Sequence, residues 1–282
     1  MRAHNGDVQP PAVVSIVADA VRADIAAVDG GRVAQIFVDG VELLKARTPD
    51  SPPTGWGSFP MVPWAGRIRR GRFTFNGSSY QLPINFEHHA IHGVGFTRPW
   101  MITARDDRSV GLRLDLPIDD SWPFGGLVDQ HVGVDADGVT LQMRVTATQR
   151  AFPVSIGWHP WFRKPQRLHF SPTAMYRRDD DWITVDERIA VRNPPWDDCF
   201  VNTEPVGITI DGVELRLTSD CRTWVVYDMP DDATCIEPQT GPPDAFNIAV
   251  RRLEVGQSFG AWFRIERRAR TATTPPTLVT EG

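Results

Sequence analysis

Alternation constrains this chain more than any other feature. Residues 139–148 read VTLQMRVTAT, which puts Val139, Leu141, Met143, Val145 and Ala147 on one side of an extended backbone. Thr140, Gln142, Arg144, Thr146 and Thr148 fall on the other. A period of two marks a strand with one wet face, because successive side chains of extended backbone point opposite ways. The spacing recurs in Leu112, Leu114, Leu116 and Ile118, in Val213, Leu215 and Leu217, and in Phe259, Ala261, Phe263 and Ile265. Between such runs stand Asp29-Gly30, Asp39-Gly40, Asn76-Gly77, Asp137-Gly138 and Asp211-Gly212. These pairs tolerate the positive φ angles of tight hairpin turns. No segment keeps a helical period over three turns, and 24 prolines spread along the chain would interrupt long helices. The expectation is an all-β protein, a large antiparallel β-sandwich.

The 282 residues can form one such sandwich with a substantial core, so a single domain over 1–282 is expected. Residues 1–10 are polar and 268–282 are poor in large apolar side chains, which predicts disordered ends. A formal charge of −5 with no long basic run argues against a nucleic-acid surface. Asp19, Arg22 and Asp24 break the first apolar run, which therefore does not read as a signal peptide, and no stretch approaches a membrane span. Three cysteines, Cys199, Cys221 and Cys235, do not read as a disulfide framework. Together these predict a cytoplasmic protein without membrane or nucleic-acid partners.

Chemistry-bearing residues gather in four short segments among Gly, Pro and aromatics: 63–73, 88–100, 156–162 and 235–247. Glu87, His88, His89 and His92 suggest a metal site of the cupin kind, but adjacent His88 and His89 point to opposite faces of a strand. Those two are expected to be surface or turn histidines, and no metal is expected. His159 lies among Trp158, Pro160, Trp161 and Phe162, and Glu237 ends an apolar run. For each, a hydrogen-bonded core position and a pocket position fit equally well; a buried carboxylate is rare unless paired.

The ordered set of segments resembles the aldose 1-epimerases, or galactose mutarotases. Arg67-Ile68 followed by Gly71 and Phe73 is similar to their Asn-Arg-Ile segment, with Gly66 standing where many members have Asn. His92-Gly93 resembles their His-Gly pair, and His159 with Phe162 their His-Ser-Tyr-Phe type segment. Glu237, Gln239, Pro243, Asp244, Ala245 and Asn247 resemble their Glu-x-Gln and Pro-Asp-Ala-x-Asn run, and Asp197 an aspartate that binds sugar hydroxyls. The resemblance implies the supersandwich of that family, a sugar substrate, anomer interconversion and no cofactor. It implies Glu237 as base at the C1 hydroxyl and His159 as acid at the ring oxygen, protonated with help from a nearby carboxylate. Arg67, His92, Asp197 and Gln239 would bind the sugar, and Trp161 and Trp64 are expected beside the pocket.

Three alternatives stay open at this level. The short segment after His92 resembles the hexose-6-phosphate epimerases, where Arg69, Arg70, Arg72 or Arg98 would grip phosphate. A non-catalytic sugar binder and a cupin-like metalloenzyme through His88, His89 and His92 are the others.

Overall fold

The computed structural model describes residues 13–268. Of the ends expected to be disordered, only Arg268 falls among them; its amide donates to the Glu214 carbonyl at 2.8 Å. Two large antiparallel sheets dominate. One has eleven strands, in the spatial order 14–18, 21–26, 32–38, 58–61, 157–163, 233–239, 223–227, 197–201, 174–178 and 184–189, with 41–42 attached to 32–38. The other has eight, in the order 101–105, 109–115, 127–134, 138–146, 258–267, 213–219, 206–210 and 167–169. The only α-helix among the described residues is Ala245–Ile248, so none is long and apolar enough to cross a membrane.

Alternation decides which face each strand buries. In the strand Gly138–Thr146, the odd-numbered apolar residues are buried and the even-numbered polar ones wet. They merge with Leu112, Leu114, Leu215, Phe263 and Ile265 from the same sheet and Ile16, Val33, Trp158 and Ile236 from the other into one core. Ile118, expected on the buried face, is exposed because the strand ends at Asp115 and the chain then turns. Cys199, Cys221 and Cys235 are free and buried.

Three of the five hairpin pairs behave as read: Asp39-Gly40, Asn76-Gly77 and Asp211-Gly212 have positive φ at both residues. Asp29 and Asp137 do not. At 135–138 the Asp135 carboxylate accepts the amides of Asp137 and Gly138, which makes the turn one step earlier. Gly138 then serves a different end, since a Cβ there would meet the Ile265 carbonyl at 2.1 Å.

The outer face of the eleven-stranded sheet is covered at its centre by loops. Arg32, fully buried, holds three of them: its guanidinium donates to the carbonyls of Asp29 (2.7 Å), Trp56 (3.1 Å) and Phe96 (3.2 Å) and lies over the Trp56 ring. Loops at 48–55, 66–67 and 86–92 rise around the strand Ala233–Gln239, which is buried at every position, on both faces.

Candidate active site

Strand register assembles the site. Gly157 stands opposite Gln239 and Trp161 opposite Cys235, so the intervening His159 stands opposite Glu237. His159 is also paired with Phe59, and Glu237 with Val225. One row across the sheet therefore reads Phe59, His159, Glu237, Val225, Cys199, and the next reads Trp161, Cys235, Tyr227, Asp197. Alternation sends these residues outward, while Trp158 and Ile236 between them enter the core.

His159 Nε2 lies 3.2 Å from Glu237 Oε1, and both side chains are almost wholly buried. The imidazole is held between two rings, Phe59 at 4.6 Å and Trp161 at 5.5 Å, both near parallel to it. His92 closes a third side edge-on at 4.9 Å. Gln239 Nε2 donates to Glu237 Oε2 at 3.0 Å. Burial, reinforced by Asp197, pushes the Glu237 carboxyl well up, against the pull of Gln239 and Arg67. Burial also lowers His159, to about 3, and the nearby carboxylate does not reverse this as expected. His92 is likewise lowered well below the ordinary imidazole value by burial, then by His159 and Arg67.

His92 and Gly93 both take positive φ, at 61° and 76°. A Cβ on Gly93 would sit 2.0 Å from the Val62 carbonyl, which instead accepts the amides of Val94 and Gly95. The glycine thus lets the His92 loop dock against residue 62. Arg67 is placed from the other end of the chain. The Asp244 amide donates to its carbonyl at 2.6 Å, and the Asp244 carboxylate accepts Arg69 N and Asn247 Nδ2.

These residues surround a cleft of about 720 Å³, lined by Arg67, His92, His159, Trp161, Asp197, Glu237 and Gln239. All seven expected site residues therefore meet in one place. Trp64 does not join them: it packs in the core beside Trp122 and Phe246 and is not among the residues lining the cleft. His88 lies exposed in a turn as expected, but His89 is buried, and its Nδ1 accepts the Arg70 amide.

The phosphate-gripping arginines are also elsewhere. Arg69 pairs with Asp179 and Asp181, Arg70 with Asp181, and Arg98 with Asp119, while Arg72 donates to Gln81. The cations lining the cleft are Lys45, paired with Asp232 at 2.7 Å, and Arg67, which has no ion-pair partner among the described residues. Asp50, Glu87, Asp197 and Asp232 line it too, so acidic groups outnumber basic ones.

Several lining residues escaped the sequence. Trp161 Nε1 donates to the Thr54 carbonyl at 2.6 Å and so pins the loop that forms one wall. Tyr227 and Phe86 contribute aromatic surface. Tyr227 is open to the alternation argument, because it shares a face with Thr223 and Val225; Phe59, which stacks behind His159 without lining the cleft, reads as ordinary core.

His88, His89 and His92 form no metal-like cluster among the described residues. His159, Cys235 and Glu237 do bring nitrogen, sulfur and oxygen within 4.8 Å of one another, a donor set that a soft cation could use. Burial keeps the Cys235 thiol well above its ordinary range.

Comparison with known proteins agrees with this fold. Residues 14–266 match the model of the aldose 1-epimerase family. The uncharacterized protein YihR of Escherichia coli is 26% identical over 297 residues, covering 89% of this chain and 92% of YihR. A galactose mutarotase-like protein from Clostridium acetobutylicum superposes with a TM-score of 0.80 at 17% identity, over 91% of this chain and 95% of that one. Galactose 1-epimerase from Lactobacillus acidophilus does so at 0.78 and 14%, over 91% and 94%.

Proposed function

The chain belongs to the aldose 1-epimerase family of isomerases, and from that premise we propose that it interconverts the α and β anomers of an unphosphorylated aldohexose, with Glu237 as base and His159 as acid. One observation carries the proposal: a carboxyl and an imidazole stand 3.2 Å apart on paired strands in a cleft. Anomerisation needs a proton removed from one oxygen and given to another on the same carbon. A base and an acid must therefore lie side by side.

In the forward step Glu237 takes the proton of the C1 hydroxyl, and the O–H electrons form the C1=O bond. The C1–O5 bond breaks, and O5 receives a proton from His159. Rotation about C1–C2 presents the other face of the aldehyde, and the reverse transfers close the ring. Between them the two groups hold one proton. Burial favours carboxylic acid with neutral imidazole. Sugar hydroxyls supply polar surroundings for carboxylate with imidazolium, the reacting arrangement, and the Arg67 guanidinium favours its carboxylate. Gln239 orients the carboxylate through its 3.0 Å bond. The rings of Phe59 and Trp161 hold the imidazole flat.

Charge supports a neutral sugar over a hexose 6-phosphate. Among the described residues the cleft offers one guanidinium without an ion-pair partner against several carboxylates, and the other candidate arginines are engaged outside it.

Glu237→Gln tests the proposal. The amide keeps the shape and can still bond both neighbours, but it accepts no proton. Polarimetry of freshly dissolved α-glucose and α-galactose should show kcat lowered by roughly 10²–10⁴-fold, with melting unchanged. Full activity in this variant removes Glu237 as the base. A wild-type protein that accelerates no sugar on a broad panel defeats the proposal altogether.

A further inference from the structure

Asp197 is held by a residue outside the cleft. Its strand, Asp197–Val201, pairs with Ala174–Arg178, whose last residue is an arginine. Arg178 Nη1 donates to Asp197 Oδ2 at 3.1 Å, and its Nε lies 3.2 Å from Asp198 Oδ1. Arg192 engages the same Asp198 oxygen at 3.1 Å. The Trp182 ring lies against the guanidinium, with its centroid 4.4 Å away. Two carboxylates and an indole face thus fix a guanidinium whose side chain is only 14% exposed.

The consequence lies in Asp197. A short carboxylate at a cleft wall rotates freely unless one oxygen is tied. Here Oδ2 is tied and Oδ1 has no hydrogen bond among the described residues. The planar fork of arginine suits this, since it spans two acceptors at fixed angles; lysine would act as a point charge.

We infer that Arg178 is a positioning residue for sugar binding, fixing Asp197 so that Oδ1 stands ready to accept a sugar hydroxyl. This rests on the reading of Asp197 as a sugar ligand in the proposed reaction. Arg178 touches neither the sugar nor the reacting pair, so its loss acts on the Michaelis constant and leaves the chemical step in place.

The test is a double-mutant cycle read as KM and kcat for α-glucose or α-galactose. Arg178→Met should raise KM about tenfold, equivalent to about 1.4 kcal/mol, with kcat within about threefold of wild type. Arg178→Lys should recover part of the loss. In an Asp197→Asn background, Arg178→Met should change KM by less than about twofold, because its partner charge is gone. An unchanged KM in Arg178→Met, or an equal rise in both backgrounds, overturns the inference. So does a fall in kcat that matches the fall in kcat/KM. If Arg178→Met melts far below wild type, Arg178→Lys carries the same comparison. A wild type that anomerises no sugar removes the functional reading and this inference together. A wild type that is active beside unaffected Arg178 variants removes the inference alone.

Discussion

Replacing Arg32 with Met separates the scaffold of this site from its chemistry. The three carbonyls that Arg32 serves lie in different loops, at Asp29, Trp56 and Phe96, and the side chain is 1% exposed. A methionine keeps the apolar stem beside Trp56 but donates nothing. A buried acceptor left without a partner costs about 1–3 kcal/mol. The lower end applies to loops that can relax toward water, so three acceptors amount to about 3–5 kcal/mol. For a chain of this size each kcal/mol moves the melting temperature by roughly 2–4 °C, giving a drop of about 6–20 °C. Burial, with a smaller push from Arg47, lowers the Arg32 pKa to about 10 and opposes this contribution, limiting the drop rather than cancelling it. Calorimetry at neutral pH measures the loss. Arg32→Lys, able to serve one or two of the carbonyls, should fall between. At a temperature where the variant is folded it should still anomerise sugar, since Arg32 lines no part of the cleft, although loss of the Arg32 charge, which helps to lower the His159 pKa, should move the pH profile of kcat. A melting temperature within 2 °C of wild type would refute the assignment of these bonds as the tie between the loops.

Two further outcomes are expected. His159 titrates near 3 in the folded protein and near 6.5 when unfolded, so the unfolded chain takes up a proton that the folded one refuses. The stability this confers is complete above pH 6.5 and is lost as pH falls toward 3. Urea midpoints should therefore drop more steeply over that interval in wild type than in His159→Gln, and parallel slopes would exclude it. Gly93→Ala combines a positive φ with a Cβ 2.0 Å from the Val62 carbonyl; it should yield little soluble protein, and a variant with wild-type melting would show that the loop can move aside.

The fold was legible where one strand face is wet. The runs at 139–147, 213–217 and 259–265 could be read residue by residue, because polar and apolar positions alternate. The strand Ala233–Gln239 carries no such contrast, being covered on both faces. Glu237 therefore fits core and pocket alike from its own segment, and only the family resemblance implies a role for it. Aromatics misled: Trp64 and Trp161 look equivalent in sequence, and only packing sends one to the core and the other to the cleft. His89 looked like a surface residue for the same reason, since nothing local announces that its ring bonds the Arg70 amide. The arginine cluster was read by composition, whereas its partners Asp179 and Asp181 lie more than a hundred residues away.

The placement of His159 opposite Glu237 also bears on how such a chain can change. The pair depends on register, and adding one residue to either strand would turn one of the two to the opposite face of the sheet. Substitutions along 157–163 and 233–239 alter the site by degrees, but single-residue insertions and deletions there erase it outright. The strands 197–201 and 223–227 between them carry the same restriction, because their register sets Asp197 and Tyr227 at the cleft, and only the loops joining strands in that stretch can change length without turning a site residue away.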